Sequence, residues 1–486
     1  PFVVTLKNGK NDQAGAILNT AAKLTLKNVI FNGNTVINPS ADNVGGAICN
    51  KSCLELQGNI SFLTENDTFC STGTSAAVHL NNATISLASQ IRAGRAFEFV
   101  DNNPYPSELI FDITNHSVVS DENPQPMVVD YNTVFANATK NNFKLSLNIS
   151  NDLQQPGLYY LASNALFTKN FSFEILANNI STGKTLSSGT GPVSVGENVL
   201  LLSLEEGTES ADLVLSVMFS FSSLQNQINA TQEGNTLTLT GDYMNMDNTT
   251  LAITENAIAI SGKNSTENSW DRIINGNGKN RIFEIEKSGT KLSHLSIQNG
   301  LANAKNGGAI YNTADELTLE NIVFHGNSAT ANDDNEGGKG GALYNAEEKT
   351  VYLINSSFKT QKDTIFNEGK IVLSGIVYFA GNVAGNGSYE VAESTKLVFD
   401  LSSYEKPNEI AIISDLDAIV GTPSYAVNIA FGLNVGDYIL ANNAEKFTSS
   451  ITVISGFGDE KNLNLNEIQE INDSNYTKKM YFYYIF

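Results

Sequence analysis

The feature that most constrains this 486-residue chain is that it carries one long pattern twice. Gly15-Ala-Ile-Leu-Asn19 matches Gly308-Ala-Ile-Tyr-Asn312, and Leu24-Thr-Leu-Lys-Asn-Val-Ile-Phe-Asn-Gly-Asn34 matches Leu317-Thr-Leu-Glu-Asn-Ile-Val-Phe-His-Gly-Asn327, both at an offset of 293. Gly45-Gly-Ala-Ile-Cys-Asn50 matches Gly340-Gly-Ala-Leu-Tyr-Asn345, and Leu109-Ile-Phe-Asp-Ile113 answers Leu397-Val-Phe-Asp-Leu401. Gly157-Leu-Tyr-Tyr-Leu-Ala-Ser-Asn-Ala165 answers Gly436-Asp-Tyr-Ile-Leu-Ala-Asn-Asn-Ala444 at an offset of 279. Conserved order with loop-sized insertions marks a duplication, which predicts two tandem diverged modules. The second copy has an opening that the first lacks, from the amphipathic Leu224-Gln-Asn-Gln-Ile228 through Asn235-Thr-Leu-Thr-Leu-Thr240 to Gln298. The reading is therefore a truncated module over 1–218, less regular over 107–218, and a second module over 219–486. Within the second, 219–300 is the opening, 301–392 the regular coils and 393–486 a less regular, strand-rich part.

Inside each module, alternating apolar and polar runs of four to six residues end at Asn-Gly, Gly-Asn, Gly-Gly or Asn-Asn, the pattern of short strands with abrupt corners. Hairpins also alternate, but they do not require the same residues at the same corners. Here Gly-Gly-Ala-(Ile/Leu)-x-Asn and Phe-x-Gly-Asn return along the chain, which predicts an all-β parallel β-helix, a solenoid, with 107–218 and 393–486 as wider coils or small antiparallel, strand-rich caps. In such a stack equivalent residues lie about 4.8 Å apart and form ladders. The expected ladder positions are Phe31, Asn34, Gly45, Gly46, Ala47 and Asn50 in copy one. In copy two they are Gly307, Gly308, Ala309, Asn312, Phe324, Asn327, Gly340, Gly341, Ala342, Asn345, Phe379 and Asn382. Phenylalanine is expected to stack inside, glycine to permit bends that a side chain would block, and corner asparagine to take the left-handed backbone and bond along the stack.

Composition narrows the function. Lys+Arg number 29 against Asp+Glu 51, a net charge of −22, and only four residues are Arg (Arg92, Arg95, Arg272, Arg281). Binding to nucleic acid or to an anionic membrane rests on basic clusters, so neither is expected as a partner. Charged residues make up only 16% of the chain, with Asn, Ser, Thr and Gly in their place, a strand-and-turn composition that excludes a helical bundle. No run of 18 apolar residues occurs. The chain opens at Pro1 inside a strand-like run and reads as a piece of something longer. Cys49, Cys53 and Cys70 lack the spacing and histidine partners of a zinc site and read as small buried hydrophobes, with one disulfide open if the protein is exported.

Repeated Gly-Gly-Ala-(Ile/Leu/Val) with Phe-x-x-Asn resembles the polymorphic outer membrane proteins and adhesin-like autotransporter passengers, over about 11–50 and 224–390. Leu224-Gln-Asn-Gln-Ile228 and Ile274-Asn-Gly-Asn-Gly-Lys-Asn-Arg-Ile-Phe283 resemble the openings of that group. The resemblance implies an extracellular, cell-surface, right-handed parallel β-helix that adheres to glycans or host-surface proteins, with no catalytic residues and no cofactor. A C-terminal membrane barrel, which autotransporters add, needs at least about eight strands. Lys479-Met-Tyr-Phe-Tyr-Tyr-Ile-Phe486 supplies one and reads as a last solenoid or cap strand.

The rival expectation is a polysaccharide lyase or glycoside hydrolase, since parallel β-helices also host those activities. Calcium plus a basic residue, or two flanking carboxylates, would be required. The candidates are Asp333, Asp334 and Glu336 in a Gly-rich loop, for calcium, and Asp271 with Arg272 beside Trp270, for sugar. Consecutive acids in a loop are more often a solvated turn. His79, His116, His294 and His325 are scattered and form no nucleophile signature. A self-associating structural surface protein is the third reading, with oligomeric state left open. The expected role is thus a non-enzymatic surface adhesin segment, a stiff solenoid whose loops bind weakly and repeatedly.

Overall fold

A computed structural model describes residues 3–37, 45–72, 75–100, 105–116, 125–150, 155–166, 171–206, 211–263, 272–334, 336–429, 433–444, 450–455, 460–464, 468–473 and 476–481. The chain is strand-rich and divides into two compact units, Pro1–Phe219 and Ser220–Phe486. Each is built on long parallel sheets in which successive rungs of chain lie in register.

In the first unit, Val4–Lys7, Leu24–Asn32, Leu54–Phe62, Val78–Leu87, Ser107–Asp112, Phe143–Ile149 and Phe173–Ala177 pair in parallel, in that order. A second parallel series runs Ile17–Asn19, Ile48–Asn50, Phe69–Ser71, Ile91–Ala93 and Val128–Val129. Alternation places every second residue inside, so Ile48, Leu54, Ile60 and Phe31 are fully buried. The part beyond 107 continues the parallel sheet and then turns antiparallel, through Ile180–Leu186 against Phe173–Ala177 and through Ala211–Ser220 against both Gly157–Ala162 and Asn198–Glu206. Antiparallel strands end a parallel stack because their own hairpins bring the chain back.

Among the described residues the second unit has three long parallel series, besides the short parallel pair Leu301–Asn303 and Ser328–Thr330. One joins Thr290–Gln298, Glu316–His325, Thr350–Ile354, Lys370–Ser374 and Ser388–Val391. Another carries Ser357–Phe358, Ile376–Phe379, Lys396–Asp400, Ser424–Asn428 and Ile451–Ile454. The third joins Leu251–Ile253, Phe283–Ile285, Ile310–Asn312, Leu343–Asn345, Ile365–Asn367 and Val383–Ala384. Its first strand is covered by the helix Phe221–Ala230, capped by the Ser220 side chain accepting from Ser223 N. Phe221, Leu224 and Ile228 are buried. The Gln225 amide acts as a surrogate strand: its Oε1 accepts from Ala252 N at 2.7 Å and its Nε2 donates to Ala252 O at 3.0 Å. Glu460–Leu463 runs antiparallel to Ile451–Ile454, and Tyr476–Tyr481 pairs antiparallel with Ile468–Asp473.

The ladder residues lie as follows. Phe31 stacks on Phe62 at 5.1 Å, Phe324 on Phe358 at 4.7 Å, and Phe358 on Phe379 at 5.7 Å, all nearly coplanar. A Cβ on Gly46 would stand 1.8 Å from the Asn66 carbonyl oxygen, and one on Gly341 2.0 Å from that of Lys362, so the second glycine of the motif is fixed by close approach of the next rung. The asparagines differ from expectation. Asn34, Asn50, Asn327 and Asn345 are buried without left-handed backbone; that conformation falls on Gly33 and Gly326, and on Asn28 and Asn321 where the long strands break. A buried amide serves better as a stacking hydrogen bonder, and the break needs a residue that tolerates φ near 54° at Asn28 and 53° at Asn321. The pair 157–165 and 436–444 also diverges. Gly157–Ala162 is a strand held by Ala211–Ser220, whereas among the described residues 436–444 forms no strand and lies alongside 412–416 through a parallel bridge from Ala441 to Ile413 and backbone bonds such as Ile413 N to Leu440 O.

Candidate functional site: an outward aromatic and charged column

The third series of the second unit alternates inward Ile310, Asn312, Leu343 and Asn345 with outward Tyr311 and Tyr344, followed in register by Phe366. The inward amides form a ladder: Asn312 Nδ2 donates to Asn345 Oδ1, and Asn345 Nδ2 to Asn367 Oδ1, each at 2.8 Å. That ladder holds neighbouring rungs at a fixed step, so the outward rings stack, Tyr311 on Tyr344 at 5.1 Å and Tyr344 on Phe366 at 6.0 Å. Stacked rings turn their edges to solvent, and a cation stands over each end of the column. The Arg281 guanidinium lies 4.5 Å from the Tyr311 centroid and Lys339 Nζ 4.5 Å from that of Phe366.

Arg281 is only 7% exposed. Its Nε donates to Asn306 O and Gly307 O, its Nη2 donates to Asn306 O at 2.6 Å, and Nη1 stands 3.6 Å from Glu284 Oε1. Burial lowers its pKa, and Glu284 and Tyr311 oppose that shift. The Tyr344 hydroxyl donates to Glu368, whose other oxygen lies 3.8 Å from Lys339 Nζ. Burial first, then the Glu368 carboxylate, raise the Tyr344 pKa. The column thus offers ring edges, a neutral phenol, two carboxylates and one half-exposed ammonium: groups suited to polar, oriented contact, without a free ring face for a sugar to stack on.

A second constellation recurs in both units and is structural. Asp67 Oδ2 accepts from Gly33 N, Thr64 N and Thr64 Oγ1, and Oδ1 from Asn34 N and Asn34 Nδ2. Asp363 takes the same five bonds from Gly326, Thr360 and Asn327. Both carboxylates are fully buried. Each locks one rung's Phe-x-Gly-Asn corner to a Thr-x-x-Asp turn on the next rung.

Among the described residues the candidates for chemistry do not converge. Asp333, Asp334 and Glu336 are exposed on a turn organised by Asn332, whose Oδ1 accepts from Asp334 N and Glu336 N. Among the described residues no group of three or more acidic, His or Cys side chains is arranged to hold a metal ion. Trp270 and Asp271 lie outside the described residues. Arg272 opens the strand Arg272–Asn275 beside Asp242, which accepts from Ile273 N. Burial raises the Asp242 pKa, against that bond and the Arg272 charge. His79 lies 3.2 Å from Glu98, His116 lies 3.5 Å from Glu65, and His294 sits at a left-handed strand break. His325 ends a strand, exposed. Sequence reasoning missed the column and the aspartates. The aligned outward position after Gly-Gly-Ala-Leu and the recurrence of Thr64-Glu-Asn-Asp67 as Thr360-Gln-Lys-Asp363 were the signals for them. No known family, curated protein or solved structure matches the chain.

Proposed function

We propose that the chain is an extracellular, non-enzymatic segment of a cell-surface adhesin. In this reading the parallel rungs wind as a right-handed β-helix, a stiff stalk whose outward columns and loops bind glycans or host-surface proteins. The observation that carries it is the Tyr311–Tyr344–Phe366 column with Arg281 and Lys339 at its ends. Tyrosine is among the residue types that most often dominate interface energy, and a rigid sheet presents the ring edges with little ordering entropy, with Arg281 buried behind them as a fixed support. Individual contacts on such a face are weak, so binding gains from repetition along a surface.

The test is a panel of polyuronates, mucin glycans and host-surface proteins, with and without calcium, read both by retention on immobilised ligand and by mass spectrometry of released products. Retention that falls at least severalfold in Tyr311→Ala, with all polymers intact, is expected. Release of oligosaccharides overturns the reading and directs attention to Asp271, Arg272 and the Asp333 loop.

A further inference from the structure

At the position where the second unit has its aromatic column, the first unit carries two thiols. Register pairs Leu18 with Cys49, Cys49 with Cys70, and Cys70 with Arg92, so these four share one outward line. Cys49 takes the motif place of Tyr344, and both thiols are completely buried. Three pairings of Cys49, Cys53 and Cys70 are conceivable from sequence, and register separates them. Cys49 and Cys70 are directly opposite on adjacent parallel strands, where Cα atoms stand about 4.8 Å apart and Cβ bonds leave the sheet on the same side. A disulfide spans Cα separations of roughly 4.4–6.8 Å. Cys53 lies past the Asn50 corner, half-buried, with its carbonyl accepting from Asn19 Nδ2 and Leu24 N, and so belongs to the turn into Leu54. A further observation concerns Arg92: its Nε is buried and, among the described residues, has no hydrogen-bond partner, next in register to Cys70. A thiolate on Cys70 is an acceptor placed to engage it, and a neighbouring guanidinium favours the thiolate form.

We propose that Cys49 and Cys70 are a site of oxidative cross-linking that closes an inter-rung disulfide, with Arg92 as the residue that positions and activates Cys70. With a peroxide as oxidant, the Cys70 thiolate attacks one peroxide oxygen. The O–O bond breaks, the other oxygen leaves as water after protonation, and Cys70 becomes a sulfenic acid. The Cys49 sulfur then displaces that hydroxyl, forming the S–S bond, and its proton departs with the hydroxyl as a second water. Two thiols are oxidised and one peroxide is reduced. This inference is independent of the adhesin reading.

The experiment treats the reduced full chain with hydrogen peroxide, caps remaining thiols after denaturation, and maps peptides by mass spectrometry. The expected result is one cross-linked pair containing Cys49 and Cys70, with Cys53 capped. The same pair should form in Cys53→Ser and form severalfold more slowly in Arg92→Gln. Oxidation should raise the unfolding midpoint of the first unit, and dithiothreitol should reverse the rise. A link through Cys53, or Cys49 and Cys70 both still capped, overturns the pairing; an unchanged rate in Arg92→Gln overturns the role of Arg92.

Discussion

The two units share interior polar anchors and differ at their surfaces. Asn19 Nδ2 donates to Asn50 Oδ1 at 2.7 Å just as Asn312 Nδ2 donates to Asn345 Oδ1 at 2.8 Å, and Asp67 and Asp363 accept the same five bonds. Outside, the line Leu18, Cys49, Cys70, Arg92 replaces Tyr311, Tyr344, Phe366, Ala384. Buried polar groups must be matched rung by rung, so they resist change, whereas an outward position has only its column neighbours to satisfy.

The sharpest way to break the likeness is to remove the shared anchor. Asp363→Ala leaves buried backbone and amide donors of Gly326, Asn327 and Thr360 without an acceptor, and at roughly 1–3 kcal/mol for each stranded group the second unit should lose at least about 3 kcal/mol. Asp67→Ala should do the same to the first unit alone. Hydrogen exchange resolved by peptide locates the loss; equal deprotection of both units by either variant would show that they do not open separately.

Acid should weaken the first unit more than the second. Glu55, held by Asn81, Lys23 and Gln57, has its pKa lowered to about 2. Its folded pKa is below the unfolded value, so its stabilisation is present above the usual carboxylate range and lost as pH falls toward 2. Asp242 in the second unit has a raised pKa, so its contribution to stability rises as pH falls through the folded value, offsetting the loss from Asp247, whose pKa is lowered, against burial, by its bonds with Ser222 and Thr249. Unit-resolved exchange between pH 5 and pH 2 should show the first unit weakening relative to the second, and Glu55→Gln should flatten the first unit's dependence.

The smallest effect is at the column. Tyr344→Ser removes one stacked ring and the bond to Glu368 from a partly open face, and should lower stability by only about 1–2 kcal/mol while leaving the Asn ladder intact. Chemical denaturation measures it. A larger loss would make the column part of the second unit's framework and not a surface laid upon it.

The amino-acid order alone determined the repetition, the parallel-strand pattern, the inward Phe and Ile positions and the close-packed glycines, because each follows from a local period or from recurrence of one motif. Residues such as Phe31, Phe324, Gly46 and Gly341 are legible for that reason. What only the tertiary structure decided is which residues of different rungs meet. Thr360-x-x-Asp363 reaches the Asn327 corner across 36 residues, Cys49 meets Cys70 across a turn with no repeat signature, and Arg281 reaches Tyr311 from the preceding rung. These contacts depend on turn lengths between strands, and a shift of one residue would carry every side chain of a strand to its other face. Neither motif nor composition encodes those lengths in readable form, so the column, the aspartate anchor and the thiol pair became visible only once the register was known.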